Sequence, residues 1–241
     1  MRSLVLVSVA VLTLSCKSQP PKGIGVSHDP ASERVTPVQF PSDAGAASST
    51  TGDGGPAIPS GAQAQVGKPA PVFTLPDTEG NLVRLDQFKG KKVVLEWFNP
   101  ECPFVKAAHT KGSLKGEAAK VAAKNVVWLA INSSAPGNQG NGVEKSVEWK
   151  NKYSLSHPVL LDPAGEVGHA YGATNTPHMF VIDEKGTLVY GGAIDNSPDG
   201  EAESPEGGRL VNYVEAALND LTSGRPLGIR ETKAYGCSVK Y

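Results

Sequence analysis

Cys102 stands where a buried-strand pattern gives way to a helix pattern, in the run Val93-Val94-Leu95-Glu96-Trp97-Phe98-Asn99-Pro100-Glu101-Cys102-Pro103-Phe104-Val105-Lys106. Pro103 suits the first turn of a helix, because its missing N–H is one of the donors that a helix start leaves unpaired in any case. A thiol at that position faces the remaining unpaired N–H groups and the positive end of the helix dipole. Both favour the thiolate, the form of cysteine that acts as a nucleophile. Lys106 adds positive charge one turn on, and Glu101 opposes it. Asn99, Pro103 and Lys106 are therefore the expected surroundings of a nucleophile at Cys102. The competing reading is a small buried hydrophobe, the usual fate of a solitary cysteine.

The chain has three cysteines, and the other two are Cys16 and Cys237. Cys16 ends a segment in which Arg2 is followed by the almost wholly apolar run Leu4 to Leu14. That run is too short to cross a bilayer and suits a secretory signal. Leu14-Ser15-Cys16 resembles the end of a bacterial lipobox, with Thr13 where Leu is usual. The segment therefore predicts export and a lipid on Cys16, against the alternative of an ordinary cleaved signal. Lys17 leans toward the outer membrane if the cell has two membranes.

With Cys16 assigned to lipid, Cys102 and Cys237 are the thiols that remain, in a compartment where cysteine pairs oxidise. Three readings stay open. Cys237 could resolve a mixed disulfide or sulfenic acid on Cys102. The pair could instead be a structural bond closing a long loop, worth about 5 kcal/mol in chain entropy. Or the two could lie apart. Gly236 before Cys237, and a flexible tail around it, would suit a thiol that must move.

The surrounding chain supplies the positioning elements. Among 241 residues, Lys+Arg 23 against Asp+Glu 24 leaves a net charge of -1, which gives no electrostatic basis for binding nucleic acid. Gly 27 and Pro 19 are concentrated early: between residues 17 and 66 Pro, Gly, Ser and Ala occur seven times each. Such a stretch buries too little apolar surface to offset its ordering entropy and predicts a disordered tether. The expected organisation is a signal over 1–16, a tether over 17–66 and one folded domain over 67–241.

Within that domain, Val72 to Leu75 and Leu82 to Leu85 around a Pro-Asp-Thr-Glu-Gly-Asn turn predict a hairpin. Lys92 to Phe98, Val126 to Ile131, Val159 to Asp162, Met179 to Asp183 and Leu188 to Tyr190 predict strands. Helices are expected from Cys102 to about Ala123, from Val143 to Tyr153, and from Arg209 to Leu221. Strands alternating with helices, then a hairpin and a last helix, predict an α/β sandwich with a mixed central sheet flanked by helices.

These features resemble the thioredoxin-like superfamily, and within it the redoxin branch that holds the alkyl hydroperoxide reductase/thiol-specific antioxidant proteins. Phe73 to Gly80 with Leu82 to Leu85 is similar to that branch's N-terminal hairpin. Trp97 to Lys106 aligns without gaps on the thioredoxin active-site region, placing Cys102 on the first Cys of Cys-x-x-Cys and Val105 on the second. Thr176-Pro177 before the strand Met179 to Asp183 resembles the cis-proline loop that faces the cysteine. The resemblance implies a substrate groove at Thr176, Pro177 and His178, with Cys102 acting on disulfides or hydroperoxides; Cys237 stays a candidate resolving thiol beside it. His109, on the same helix as Cys102, is expected to be structural, and His157 and His169 lack the spacing of a site.

Two departures bear on the chemistry. Val105 cannot resolve a mixed disulfide. Leu95 and Asn99 occupy the Pro and Thr/Ser places of the peroxiredoxin signature, and Pro177 holds the place of its Arg. The donors that would stabilise a peroxide's leaving oxygen are therefore missing from the pattern. The expected partners are a thiol, disulfide or peroxide substrate, an electron donor of unspecified kind, and a membrane reached through the lipid on Cys16. No metal and no cofactor is expected. The alternative is a redox-inactive binding module for a protein partner or copper.

Overall fold

The computed structural model describes residues 58–241; the signal, Cys16 and the tether up to residue 57 lie outside the described residues. Apolar packing begins earlier than the expected boundary at residue 67. Ile58 is buried, Ala62, Ala64 and Val66 pack against the core, and the Ala64 amide donates to Ala170 O at 2.8 Å.

The central sheet is built on β3 (Lys92–Trp97), a six-residue strand buried along its whole length. Parallel to it lies β4 (Val126–Asn132), and beyond that β5 (Val159–Leu161). On the other side β7 (His178–Ile182) pairs antiparallel with β3, and β8 (Leu188–Gly192) antiparallel with β7, giving the order β5-β4-β3-β7-β8. β1 (Thr74–Pro76) and β2 (Leu82–Arg84) form the expected hairpin.

Alternation along β3 sorts its side chains into two layers. Val93, Leu95 and Trp97 join Leu129, Ile131, Phe180 and Ile182, covered by the hairpin's Phe73 and Leu75 and by Val167, Ala170 and Tyr171 of α4 (Glu166–Tyr171). Val94 joins Trp128, Met179, Val181 and Tyr190 on the opposite face. There the cover is Ala108 of α1 (Pro103–Thr110), Val121 of α2 (Glu117–Ala122), and Val214, Ala217 and Leu218 of α5 (Tyr213–Thr222). α3 (Val143–Lys152) packs on β5. The result is a thioredoxin-like α/β sandwich with a mixed sheet.

Three local expectations are corrected. The single helix from Cys102 to Ala123 is two, α1 and α2: α1 ends at Thr110, Gly112 packs too close to Gly200 O for a side chain, and the left-handed Gly116 precedes α2. The last helix starts at Tyr213 rather than Arg209: Asn212 caps it, its side chain accepting from the Glu215 amide at 2.9 Å. Leu210 and Val211 consequently stand outside the helix and are exposed. α4 was not foreseen; Asp162 starts it by accepting from the amides of Val167 and Gly168.

Candidate active site

Cys102 is the N-cap of α1 and Pro103 its first residue, so the strand–loop–thiol–helix order stands as the residues imply. Asn99 shapes the loop. Its Oδ1 accepts from the Glu101 amide at 2.9 Å, its Nδ2 donates to Ser134 Oγ and Gln139 O, and its carbonyl accepts from the Cys102 amide at 3.1 Å. Glu101 is turned to the neighbouring loop, paired with Lys145 and accepting from the Gly140 amide. Lys145 therefore holds its carboxyl below the ordinary range and balances the charge that would oppose a thiolate. Lys106 lies exposed on α1.

The Cys102 sulfur does not cap the helix through its side chain. It donates to Thr176 O at 3.1 Å, and its Sγ lies 2.7 Å from Cys237 Sγ. The two thiols that 135 positions separate in sequence are thus in direct contact. Cys102 is 1% exposed, enclosed by Phe98, Val105, Ala130 and Val159, whereas Cys237 is half-buried. Burial, then the hydrogen bond and charge of Cys102, push the Cys237 thiol up to about 11, with Lys240 pulling the other way.

Cys237 reaches this place on a strand that was not foreseen. β9 (Cys237–Ser238) pairs antiparallel with β6 (Asn175–Thr176), setting Cys237 opposite Thr176, and the Thr176–Pro177 peptide that follows is cis. The expected flexible tail is instead a strap docked at both ends. Asn175 Nδ2 donates to Gly236 O at 3.0 Å, the Val239 amide to Thr174 O, the Ala135 amide to Lys240 O, and Asn138 Nδ2 to the carbonyls of Lys240 and Tyr241. The Tyr241 ring stacks on His169 at 4.0 Å in a niche that a Cβ on Gly168 would fill, and its hydroxyl donates to Ala173 O.

Gly236 takes φ +108, a region side chains avoid, and any Cβ there would overlap Thr176 O. Gly236→Ala is therefore expected to cost about 1–3 kcal/mol and to lift the strap from Cys102. Alkylation of Cys102 by iodoacetamide should then accelerate, and an unchanged rate would contradict this role for the glycine.

His178 follows the cis-proline as the first residue of β7. Its Nδ1 accepts from the Thr174 amide at 3.3 Å and its ring stacks on Phe180 at 4.5 Å, so its contacts are with these residues rather than with Cys102. Burial pushes it down to about 4.

Beneath α1 lies a polar cluster that sequence reasoning missed. Glu96 is wholly buried on β3; its Oε1 lies 2.7 Å from His109 Nε2, and its Oε2 accepts from Trp128 Nε1 at 2.9 Å. Burial acts to raise the Glu96 carboxyl, but the charge and hydrogen bond of His109, with His157 and Trp128, outweigh it and hold it below the ordinary range. His109 stacks on Tyr153 at 5.4 Å and 12°. Burial, then the charges of Cys102 and of Glu96, hold the Tyr153 phenol up, so this ring feels both groups. The available signal was a glutamate inside an otherwise apolar strand, which demands a partner.

His157 is buried beside Trp128, and burial pushes it down to about 4. A histidine whose folded pKa is depressed contributes stability above its unfolded value, near 6.5, that is lost as pH falls through the folded value. Stability is accordingly expected to fall between pH 6.5 and 4, by roughly 3 kcal/mol from His157 alone, with His178 adding to the loss. Asp162, raised by burial, works in the opposite sense. Urea titrations across this range check the slope; a flat profile contradicts it.

No group of three or more His, Cys, Asp or Glu side chains among the described residues is arranged to hold a metal ion. No helix among them is long and apolar enough to cross a membrane.

Comparison with known proteins agrees with the geometry. The redoxin family matches residues 65–206, a segment that contains Cys102 and the cis-proline loop and ends before Cys237. The chain is 30% identical to the thiol-disulfide oxidoreductase ResA of Bacillus thuringiensis over 135 residues, 52% of this chain and 68% of that one. It is 31% identical to a provisionally named peroxiredoxin of Mycobacterium tuberculosis, over 51% of this chain and 81% of the relative. The crystal structure of an uncharacterized conserved protein from Geobacillus kaustophilus superposes with a TM-score of 0.64 at 32% identity, over 73% of this chain and 92% of that one. With a thiol at a helix start on a thioredoxin-like frame and relatives of this kind, the chain is a thiol-dependent oxidoreductase and belongs to the redoxin family.

Proposed function

We propose that the protein is an exported, lipid-anchored thiol–disulfide oxidoreductase whose redox couple is Cys102 and Cys237. The single observation that carries the reading is the 2.7 Å contact between the two sulfurs. A pair so placed needs little movement to become a disulfide, and it supplies within one chain the second thiol that Val105 cannot provide. The strap makes this second thiol a fixed partner, which raises its effective concentration at Cys102.

Disulfides fit the site better than hydroperoxides. Peroxide reduction needs donors aimed at the departing oxygen. Besides the Cys237 sulfur, Cys102 Sγ bonds to the Thr176 carbonyl, an acceptor, and the side-chain amide of Asn99 is spent on Ser134 and Gln139. The natural electron donor is then itself a thiol. The lipid on Cys16, attached on the periplasmic side and most simply to an outer membrane, rests on Arg2, the apolar run and Leu14-Ser15-Cys16.

Glutathione-driven reduction of a small disulfide, run beside reduction of an alkyl hydroperoxide, tests the choice. Faster turnover of the disulfide is expected. A hydroperoxide with the larger kcat/KM would overturn the reading.

A further inference from the structure

We propose that Cys237, rather than Cys102, is the sulfur at which outside thiols and disulfides exchange with the couple, and that Cys102 acts from within as the leaving and resolving group. The inference rests on the Cys102–Cys237 couple proposed above and reverses the order of attack that the helix-start position of Cys102 implies.

Access decides the order. A thiolate attacks a disulfide in line, from the side opposite the sulfur that departs. To attack Cys102, a reductant would have to approach through Phe98, Val105, Ala130 and Val159, which leave that sulfur 1% exposed. To attack Cys237 it approaches from outside the strap, where the residue is half-buried and the chain is a two-stranded ribbon. The β6–β9 pairing sets Cys237 opposite Thr176, whose carbonyl holds Cys102 Sγ, so the inner side of Cys237 faces Cys102 and its outer side is the line of approach.

Leaving-group chemistry favours the same order. A disulfide breaks fastest toward the thiol that better carries the charge. Attack at Cys237 expels Cys102, whose sulfur is released at the first turn of α1, where a negative charge meets the positive end of the helix. Attack at Cys102 would expel Cys237, whose thiol burial and the neighbouring sulfur push up to about 11.

A thiolate R–S⁻ bonds to Cys237 Sγ, the Cys102–Cys237 bond breaks, and its electron pair leaves on Cys102 Sγ. A second R–S⁻ attacks the R sulfur of the mixed disulfide, releasing R–S–S–R and the Cys237 thiolate. The two protons given up by the thiols end on Cys102 and Cys237. Oxidation by a disulfide is the same sequence in reverse, with Cys102 closing on the mixed disulfide carried by Cys237.

The test uses the oxidised full chain with glutathione as the probe, quenched at early times with N-ethylmaleimide and mapped by trypsin. Cys102 falls in the peptide 93–106 and Cys237 in the peptide 234–240. The first adduct is expected to carry glutathione on 234–240 and N-ethylmaleimide on 93–106, in roughly tenfold excess over the opposite pattern. Glutathione appearing first on 93–106 overturns the order of attack while leaving the couple intact. Absence of the linked 93–106/234–240 pair before glutathione is added removes the couple itself, and this inference with it.

Discussion

Replacing either Cys102 or Cys237 by Ser is expected to lower glutathione-driven disulfide turnover by about a thousandfold or more, and replacing both should cost no more than replacing one. Groups that act as a unit show this non-additivity, because once one member is gone the other has no step left to perform. The pair is in contact at 2.7 Å, and the alternative resolving position is Val105, which has no thiol. The two variants differ chemically. Cys102→Ser keeps the half-buried Cys237 and is expected to form stable mixed disulfides with glutathione. Cys237→Ser keeps a thiol in the apolar enclosure of Phe98, Val105, Ala130 and Val159 and is expected to form them more slowly. Steady-state rates of the three variants, with intact masses after glutathione disulfide treatment, decide this. Additive losses in rate would mean that the thiols act independently.

The second large effect is on stability. His109→Ala is expected to destabilise the fold by about 3–5 kcal/mol, since it strands the wholly buried Glu96 carboxylate without its hydrogen-bond partner. Against a total stability of about 5–15 kcal/mol for a typical domain, that is enough to populate unfolded protein. Removing both partners, as Glu96→Leu with His109→Leu, should cost far less than His109→Ala alone, because no charge is left buried. Urea denaturation of the single and double variants measures the difference. A loss below about 1 kcal/mol for His109→Ala would mean that water or another group satisfies Glu96. His109 was expected to be structural, and its ring, held between Glu96 and Tyr153, gives that role a definite content.

The sheet was legible because its strands are buried on both faces. Val93-Val94-Leu95 and Val126 to Ile131 leave little room for another reading, and their parallel pairing follows from the helices between them. Cys102 was legible because it sits at the change from strand to helix pattern, where Pro103 marks the first turn. What was missed depends on contacts between distant segments. α4 is one short element with Gly165, Gly168 and Gly172 in or beside it, and its first amides are held by Asp162 rather than by the residue next to it. The break between α1 and α2 falls where Gly112 packs against Gly200 of a distant loop.

β6 and β9 are two residues each, too short for any periodicity, yet they place the second thiol. Gly236 was read as a source of freedom for a moving tail. The structure gives it the opposite role, a close approach that holds Cys237 against the cis-proline loop. Sequence counting could name the two thiols of the domain; their distance follows only from the strap.

The most direct test of the Cys102–Cys237 couple is a redox titration of the full chain in glutathione buffers, read as the fraction of linked 93–106/234–240 tryptic peptide. This peptide is expected to accumulate and disappear as a single two-electron couple. Separate, unlinked 93–106 and 234–240 peptides at every glutathione ratio, each blocked or free on its own, would contradict it.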